Sequence, residues 1–191
     1  MTEVASVAAF CLAAAVGRWF FDSKRPAPVP AAIVAAFGEI THLAVDAFSN
    51  TAEMSEIYRG LCRPYLKARD GAIEFLKGAT AAGIPCALVT GGPMTNVDFV
   101  VDGLKIREHF AYIVDVSQYE RGKPAPDCYL LAAAKLGVEP RDCVVFEDAI
   151  NGIRSARAAG MSVVAITGTH DRRGLEDAGP DRIVSSFREL P

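Results

Sequence analysis

From Asp70 to Leu190 the chain alternates between short apolar runs and segments with helical spacing, and few folds accept that pattern. Pro85–Thr90, Ala111–Val116, Asp142–Phe146, Ser162–Thr167 and Arg182–Ser185 read as strands. Their apolar character is nearly continuous, which suits strands covered on both faces in a parallel sheet, with right-handed helical crossovers between them. The predicted class is α/β: a three-layer sandwich around a parallel, Rossmann-like sheet. Asp70 is placed to cap a helix whose positions Ile73, Leu76 and Ala79 share one face, with Gly83 as its stop. Gly91-Gly92-Pro93 breaks the first of these strands and opens a helix through Val97, Val100 and Leu104. A further helix ends at Gly137, and Ile150, Ile153 and Ala156 face another inward ahead of Gly160.

The first 69 residues follow a different pattern. Val4–Val16 is apolar and alanine-rich but too short to span a bilayer, and Glu3 precedes it where an export signal carries a basic residue; it reads as a core helix. Pro26, Pro28 and Pro30 interrupt the chain, after which Ala31–Phe37, Thr41–Phe48 and Glu53–Leu66 have helical composition. The expected organisation is an N-terminal segment over 1–25, a small helical, cap-like insertion over 26–69, and an α/β core over 70–191.

At 191 residues and 51% hydrophobic, the chain can bury a substantial core. Its formal net charge of −3 lacks the basic surplus that nucleic-acid binding requires, so a small metabolite is the expected partner, with neither nucleic acid nor membrane. Cys11, Cys62, Cys86, Cys128 and Cys143 show no CxxC or zinc spacing and read as reduced thiols of a cytoplasmic protein. His42, His109 and His170 share no spacing that marks a ligand set. The oligomeric state is not encoded in any pattern found here.

Chemistry concentrates where open α/β sheets gather it, at the C-terminal tips of the strands. Thr90 ends a strand with Gly91 behind it, so a hydroxyl and adjacent backbone amides are offered to an anion. Lys123, between Gly122 and Pro124, sits on a stiff loop that can aim an ammonium at developing negative charge. Glu147 and Asp148 end an apolar strand as adjacent carboxylates, oxygen ligands of the kind Mg²⁺ takes. Each has an ordinary alternative: a plain turn at Thr90, a solvated lysine at 123, a helix cap at Asp148.

Taken in order and spacing, these segments resemble the haloacid dehalogenase (HAD) superfamily, in its phosphoglycolate phosphatase and β-phosphoglucomutase-like branch. The specific stretches are ERGKPAPDCYLLAAAKLGV and CVVFEDAINGIRSARAAGM, within a match from about Asp70 to Leu190. The resemblance implies that Thr90 and Gly91 bind a phosphoryl group, that Lys123 neutralises it and positions the nucleophile, and that Glu147 and Asp148 hold Mg²⁺. It also implies a first strand, central in the sheet between those ending at Thr90 and Phe146, that runs into Asp-x-Asp-Gly-Thr. No such string is present. The nearest candidate is Arg18-Trp-Phe-Phe-Asp22-Ser-Lys24, with Asp22 as nucleophile and metal ligand and Lys24 where the second carboxylate belongs; Val7–Ala15 competes for the slot. The expected function is a Mg²⁺-dependent phosphohydrolase of a small phosphorylated metabolite. An inactive relative that retains the phosphate and metal pocket, and a haloacid dehalogenase, are the alternatives.

Overall fold

The computed structural model of the chain describes the backbone of Phe10–Cys11 and Ala32–Phe37, residues 56, 59, 60 and 63, and residues 66–168 and 170–190. In chain order the elements are β1 (Phe10–Cys11), β2 (Ala32–Phe37), α1 (Ala72–Ala81), β3 (Cys86–Val89), α2 (Met94–Gly103), β4 (Tyr112–Val114), α3 (Asp127–Leu136), β5 (Cys143–Glu147), α4 (Ile150–Ala158), β6 (Ser162–Ile166), α5 (Arg172–Asp177) and β7 (Arg182–Val184). Glu56, Arg59 and Gly60 are also helical. The sheet order is β4-β3-β2-β5-β6-β7, parallel throughout, with β1 pairing antiparallel to the end of β2. The α/β class and the parallel sheet read from the sequence are those of the molecule.

The sheet is covered on both sides. Successive residues of a strand point to opposite faces, so Phe146 and Glu147 report on different layers. Phe146 meets Phe75 of α1 edge-on at 5.3 Å and Phe187 at 5.7 Å. Glu147, on the other face, accepts a hydrogen bond from Tyr129 of α3. All five residues of β5 are buried in consequence.

Two expectations for the first 69 residues are corrected. Ala31–Phe37 reads as helix, yet Ala32–Phe37 is the central strand, with Ile33 opposite Cys86 on one side and Val144 on the other. Intrinsic alanine preference is worth a few tenths of a kcal/mol per residue, about 0.7 at most, whereas each backbone group of β3 and β5 left unpaired in the core costs about 1–3 kcal/mol. The slot between those strands therefore selects an apolar run of matching length, whatever its local preference. It is not filled by Trp19-Phe20-Phe21, which with Asp22 lies outside the described residues. Within Val4–Val16, read as a helix, Phe10 and Cys11 pair with Phe37 and Ala36 as a strand; the rest of that stretch and Thr41–Phe48 lie outside the described residues.

Smaller differences have local causes. Asp70 does not cap α1. Gly71, at φ +77°, precedes that helix without a side-chain cap, and the Asp70 carboxylate instead accepts from Arg188 Nε at 2.7 Å and Ser186 Oγ at 2.9 Å. That Arg188 hydrogen bond holds Asp70 below the usual carboxylate range. It fastens the C-terminal turn to the start of α1. Helix α5, missed in the sequence, is a six-residue element capped by Asp171 on the Gly174 amide at 2.8 Å. Among the described residues, no helix is long and apolar enough to cross a membrane.

Phe146→Ala would empty the centre of the Phe75–Phe146–Phe187 cluster and is expected to cost about 3–5 kcal/mol, read as a lower urea midpoint. Cys86, Cys128 and Cys143 are buried free thiols; burial pushes Cys86 and Cys143 up to about 12 and raises Cys128 as well. Because the thiolate is the nucleophile, iodoacetamide at pH 8 should leave all three unlabelled in the native protein and label them in urea.

Candidate functional site

Thr90 follows β3 directly and is almost fully buried. Its amide donates to Val114 O at 2.9 Å, extending the β3–β4 ladder by one bond, and its Oγ1 accepts from the Gly92 amide at 2.9 Å. The hydroxyl thereby folds the Gly91-Gly92 turn around itself before Pro93 opens α2. On the far side, Tyr119 donates its hydroxyl to Thr90 O at 3.0 Å. The loop that delivers Tyr119 is organised by buried Asp115, whose Oδ1 accepts from the Ser117 amide, Ser117 Oγ and Gln118 Nε2.

Four residues after Tyr119 comes Lys123. Its loop is braced by the Ala125 amide on Gly122 O at 3.0 Å and by buried Ser155, which donates to Ala125 O at 2.6 Å. Lys123 Nζ lies 2.5 Å from Glu147 Oε1 and 5.1 Å from the centroid of the Tyr129 ring. The lysine is an interior group with a carboxylate and an aromatic face around it, not a solvated surface side chain.

Glu147 is completely buried, and its acceptor capacity is filled. Oε1 takes Lys123 and the Tyr129 hydroxyl at 3.0 Å; Oε2 takes the amides of Asp148 and Ala149, both at 2.8 Å. A carboxylate offers about four lone-pair sites, and four donors occupy them. The two amides belong to the entry of α4, so the carboxylate also serves as that helix's N-terminal acceptor. This packing needs Gly152, where a Cβ would lie 1.7 Å from Oε1 and 2.0 Å from Cδ.

Asp148 is 1% exposed and does not cap α4. Its Oδ2 accepts from Arg69 Nη2 at 3.2 Å, and Arg69 Nη1 donates to Thr167 O at 2.6 Å. His170 Nδ1 donates to the Asp148 carbonyl at 3.2 Å. Of the residues singled out in the sequence, Lys123, Glu147 and Asp148 are joined directly. Thr90 and Gly91 lie on the same sheet edge, with β3 and β5 roughly 10 Å apart across β2. Asp22 lies outside the described residues.

Sequence reasoning passed over Arg69, Asp115, Tyr119, Tyr129 and Gly152. Only Gly152 carried a signal: a glycine three residues into a helix costs about 1 kcal/mol relative to alanine and marks a close approach. Among the described residues, no three His, Cys, Asp or Glu side chains converge as a ready-made metal cluster. Mg²⁺ does not need one. It is held by one or two carboxylates together with phosphate oxygens and water, and the buried Asp148 carboxylate, already facing a cation, fits that demand.

The chain is similar to several known proteins. Hexitol phosphatase A of Escherichia coli is 39% identical over 127 residues, 65% of this chain and 56% of that protein. The fructose-1-phosphate phosphatase of the same species is 43% identical over 82 residues, 43% and 44% of the two chains. The structure of a CbbY variant from Rhodobacter sphaeroides, in complex with xylulose-(1,5)bisphosphate, superposes with a TM-score of 0.65 at 33% identity, covering 71% of this chain and 61% of that one. The chain spans about half the length of the curated relatives it matches.

Glu147→Gln keeps shape but removes the charge facing Lys123, and turns one acceptor into a donor among four donors. It is expected to destabilise the fold by about 3–5 kcal/mol in equilibrium unfolding, the usual cost of breaking a buried ion pair. The haloacid dehalogenase-like hydrolase model matches residues 13–160, most of the chain, and the protein belongs to that family.

Proposed function

We propose that the protein handles a small phosphorylated metabolite of the sugar or polyol phosphate class as a phosphohydrolase. Thr90, the Gly91 amide and Lys123 receive the phosphoryl group, and Asp148 holds Mg²⁺. The observation that carries this reading is the buried Lys123–Glu147 pair: the carboxylate fixes the ammonium at the strand tips, on the edge where Thr90 and its turn present their donors. An ammonium held in advance stabilises phosphoryl oxygens without reorganising, which is the main demand of phosphoryl transfer. Mg²⁺, when bound, would neutralise further phosphoryl charge. The hexitol and fructose-1-phosphate phosphatases among the relatives support this substrate class.

Glu147 enters this reading as the anchor of Lys123 rather than as a metal ligand, because its four acceptor sites are filled. Two versions differ in what attacks phosphorus. In the first, Asp22 supplies the carboxylate. In the second, the site binds phosphate without turnover, and the composition of β2 favours it: the strand in the central slot reads AIVAAF and ends at Phe37 with no acidic residue.

Release of phosphate from fructose 1-phosphate or p-nitrophenyl phosphate, with Mg²⁺ or with EDTA, tests the assignment. Under the first version turnover needs Mg²⁺, is lost in Asp22→Asn, and falls roughly 10²–10³-fold in Lys123→Met. Under the second, no variant turns over, yet calorimetry detects inorganic phosphate binding that Lys123→Met removes. Detecting no turnover and no phosphate binding would overturn the assignment.

A further inference from the structure

Arg69 stands out because nothing in the reading above requires it, yet the fold prepares a place for it. Its side chain is 14% exposed and reaches from the segment before α1 to the tip of β5. One arm, Nη1, donates to Thr167 O at 2.6 Å; the other, Nη2, donates to Asp148 Oδ2 at 3.2 Å. Gly168 makes room: at φ +138°, a Cβ there would lie 2.7 Å from Nη1. The same loop returns to Asp148 through His170, whose Nδ1 donates to the Asp148 carbonyl. A planar fork with two separate anchors and a glycine cleared for it is a seat built for guanidinium, and lysine could not fill it in the same way.

We propose that Arg69 is the resident counter-cation of Asp148 and competes with a divalent cation for that carboxylate, so that metal binding requires the guanidinium to give way. The inference rests on the reading that Asp148 is the metal-holding carboxylate. Its physical basis is charge. Glu147 already balances Lys123, leaving Asp148 as the anion beside Arg69. A metal dication arriving at Asp148 meets a guanidinium bonded to that carboxylate and must either share it against like-charge repulsion or displace the Nη2 contact. The Nη1 anchor on Thr167 O lets the arginine swing without leaving the site. Metal affinity would then be coupled to the positions of Thr167 and Gly168.

The test is calorimetric titration of the full chain with MgCl₂ alone, alongside thermal midpoints with and without the metal. Arg69→Met removes the charge, and is expected to tighten Mg²⁺ binding about tenfold or more, the low end of the influence an adjacent guanidinium exerts on a carboxylate. The metal-free midpoint should fall while the rise on adding Mg²⁺ grows. Should the methionine variant fail to fold, Arg69→Gln, which removes the charge and leaves a shorter polar side chain, should tighten binding in the same direction. An arginine that is merely structural would lower the metal-free midpoint and leave the Mg²⁺ affinity at the wild-type value; that result overturns the proposal while Asp148 stands as the metal carboxylate. If Asp148→Asn binds Mg²⁺ as the wild type does, or if neither the wild type nor the charge-removed variant binds it, the underlying reading of Asp148 falls, and this inference with it.

Discussion

The buried carboxylate of Glu147 is the constraint around which the C-terminal edge of this sheet is assembled. An uncompensated carboxylate in a core would cost several kcal/mol, so its surroundings must supply donors from every side. They come from four places: the Lys123 loop, Tyr129 of α3, and the amides of Asp148 and Ala149 at the start of α4. One side chain thereby ties a loop, a crossover helix and a helix entry to the end of β5. Gly152 is the geometric price, since any larger residue would occupy the carboxylate's own position.

With Glu147 saturated, the neighbouring acidic residue is left to play another part. Two adjacent carboxylates in a sequence look interchangeable, but alternation along a strand and the turn into α4 send them to different surroundings. Glu147 faces the α3 side and holds an ammonium; Asp148 faces Arg69 and the loop after β6. Among the described residues, the edge therefore pairs Lys123 with Glu147 and Arg69 with Asp148. Thr90 and its turn are fixed by their own hydrogen bonds, and the Lys123 ammonium is held by Glu147 before any ligand arrives. The proposed phosphoryl site rests on that preorganisation.

Much of the C-terminal two thirds was legible in the letters because local and global preferences agree there. Continuous apolar runs such as Cys86-Ala-Leu-Val and Cys143-Val-Val-Phe mark strands buried on both faces, and Gly83, Gly137 and Gly160 stop helices in left-handed conformation. The Glu147-Asp148 pair stood out for the same reason, since charged groups at the end of such a run have to be resolved by something; Lys123 stood out by its stiff loop between Gly122 and Pro124. The first 69 residues were illegible where these levels conflict. Ala32–Phe37 has helical composition, and only the vacancy between β3 and β5 makes it a strand. Asp70 stands where a cap belongs but finds a better partner in Arg188, a hundred-odd residues away in the chain.

What the sequence determined by itself is the layered α/β architecture, the alternation of strands and helices from Asp70 onward, and the list of polar groups at the strand ends and loops, because hydrophobic period and turn chemistry are local properties that the chain carries wherever it goes. Tertiary structure alone decided which segment occupies the middle of the sheet, that Glu147 serves Lys123 and a helix entry, and that Arg69 answers Asp148. Those outcomes depend on distances between residues remote in sequence, on how many donors a buried carboxylate can accept, and on the space a glycine leaves beside it.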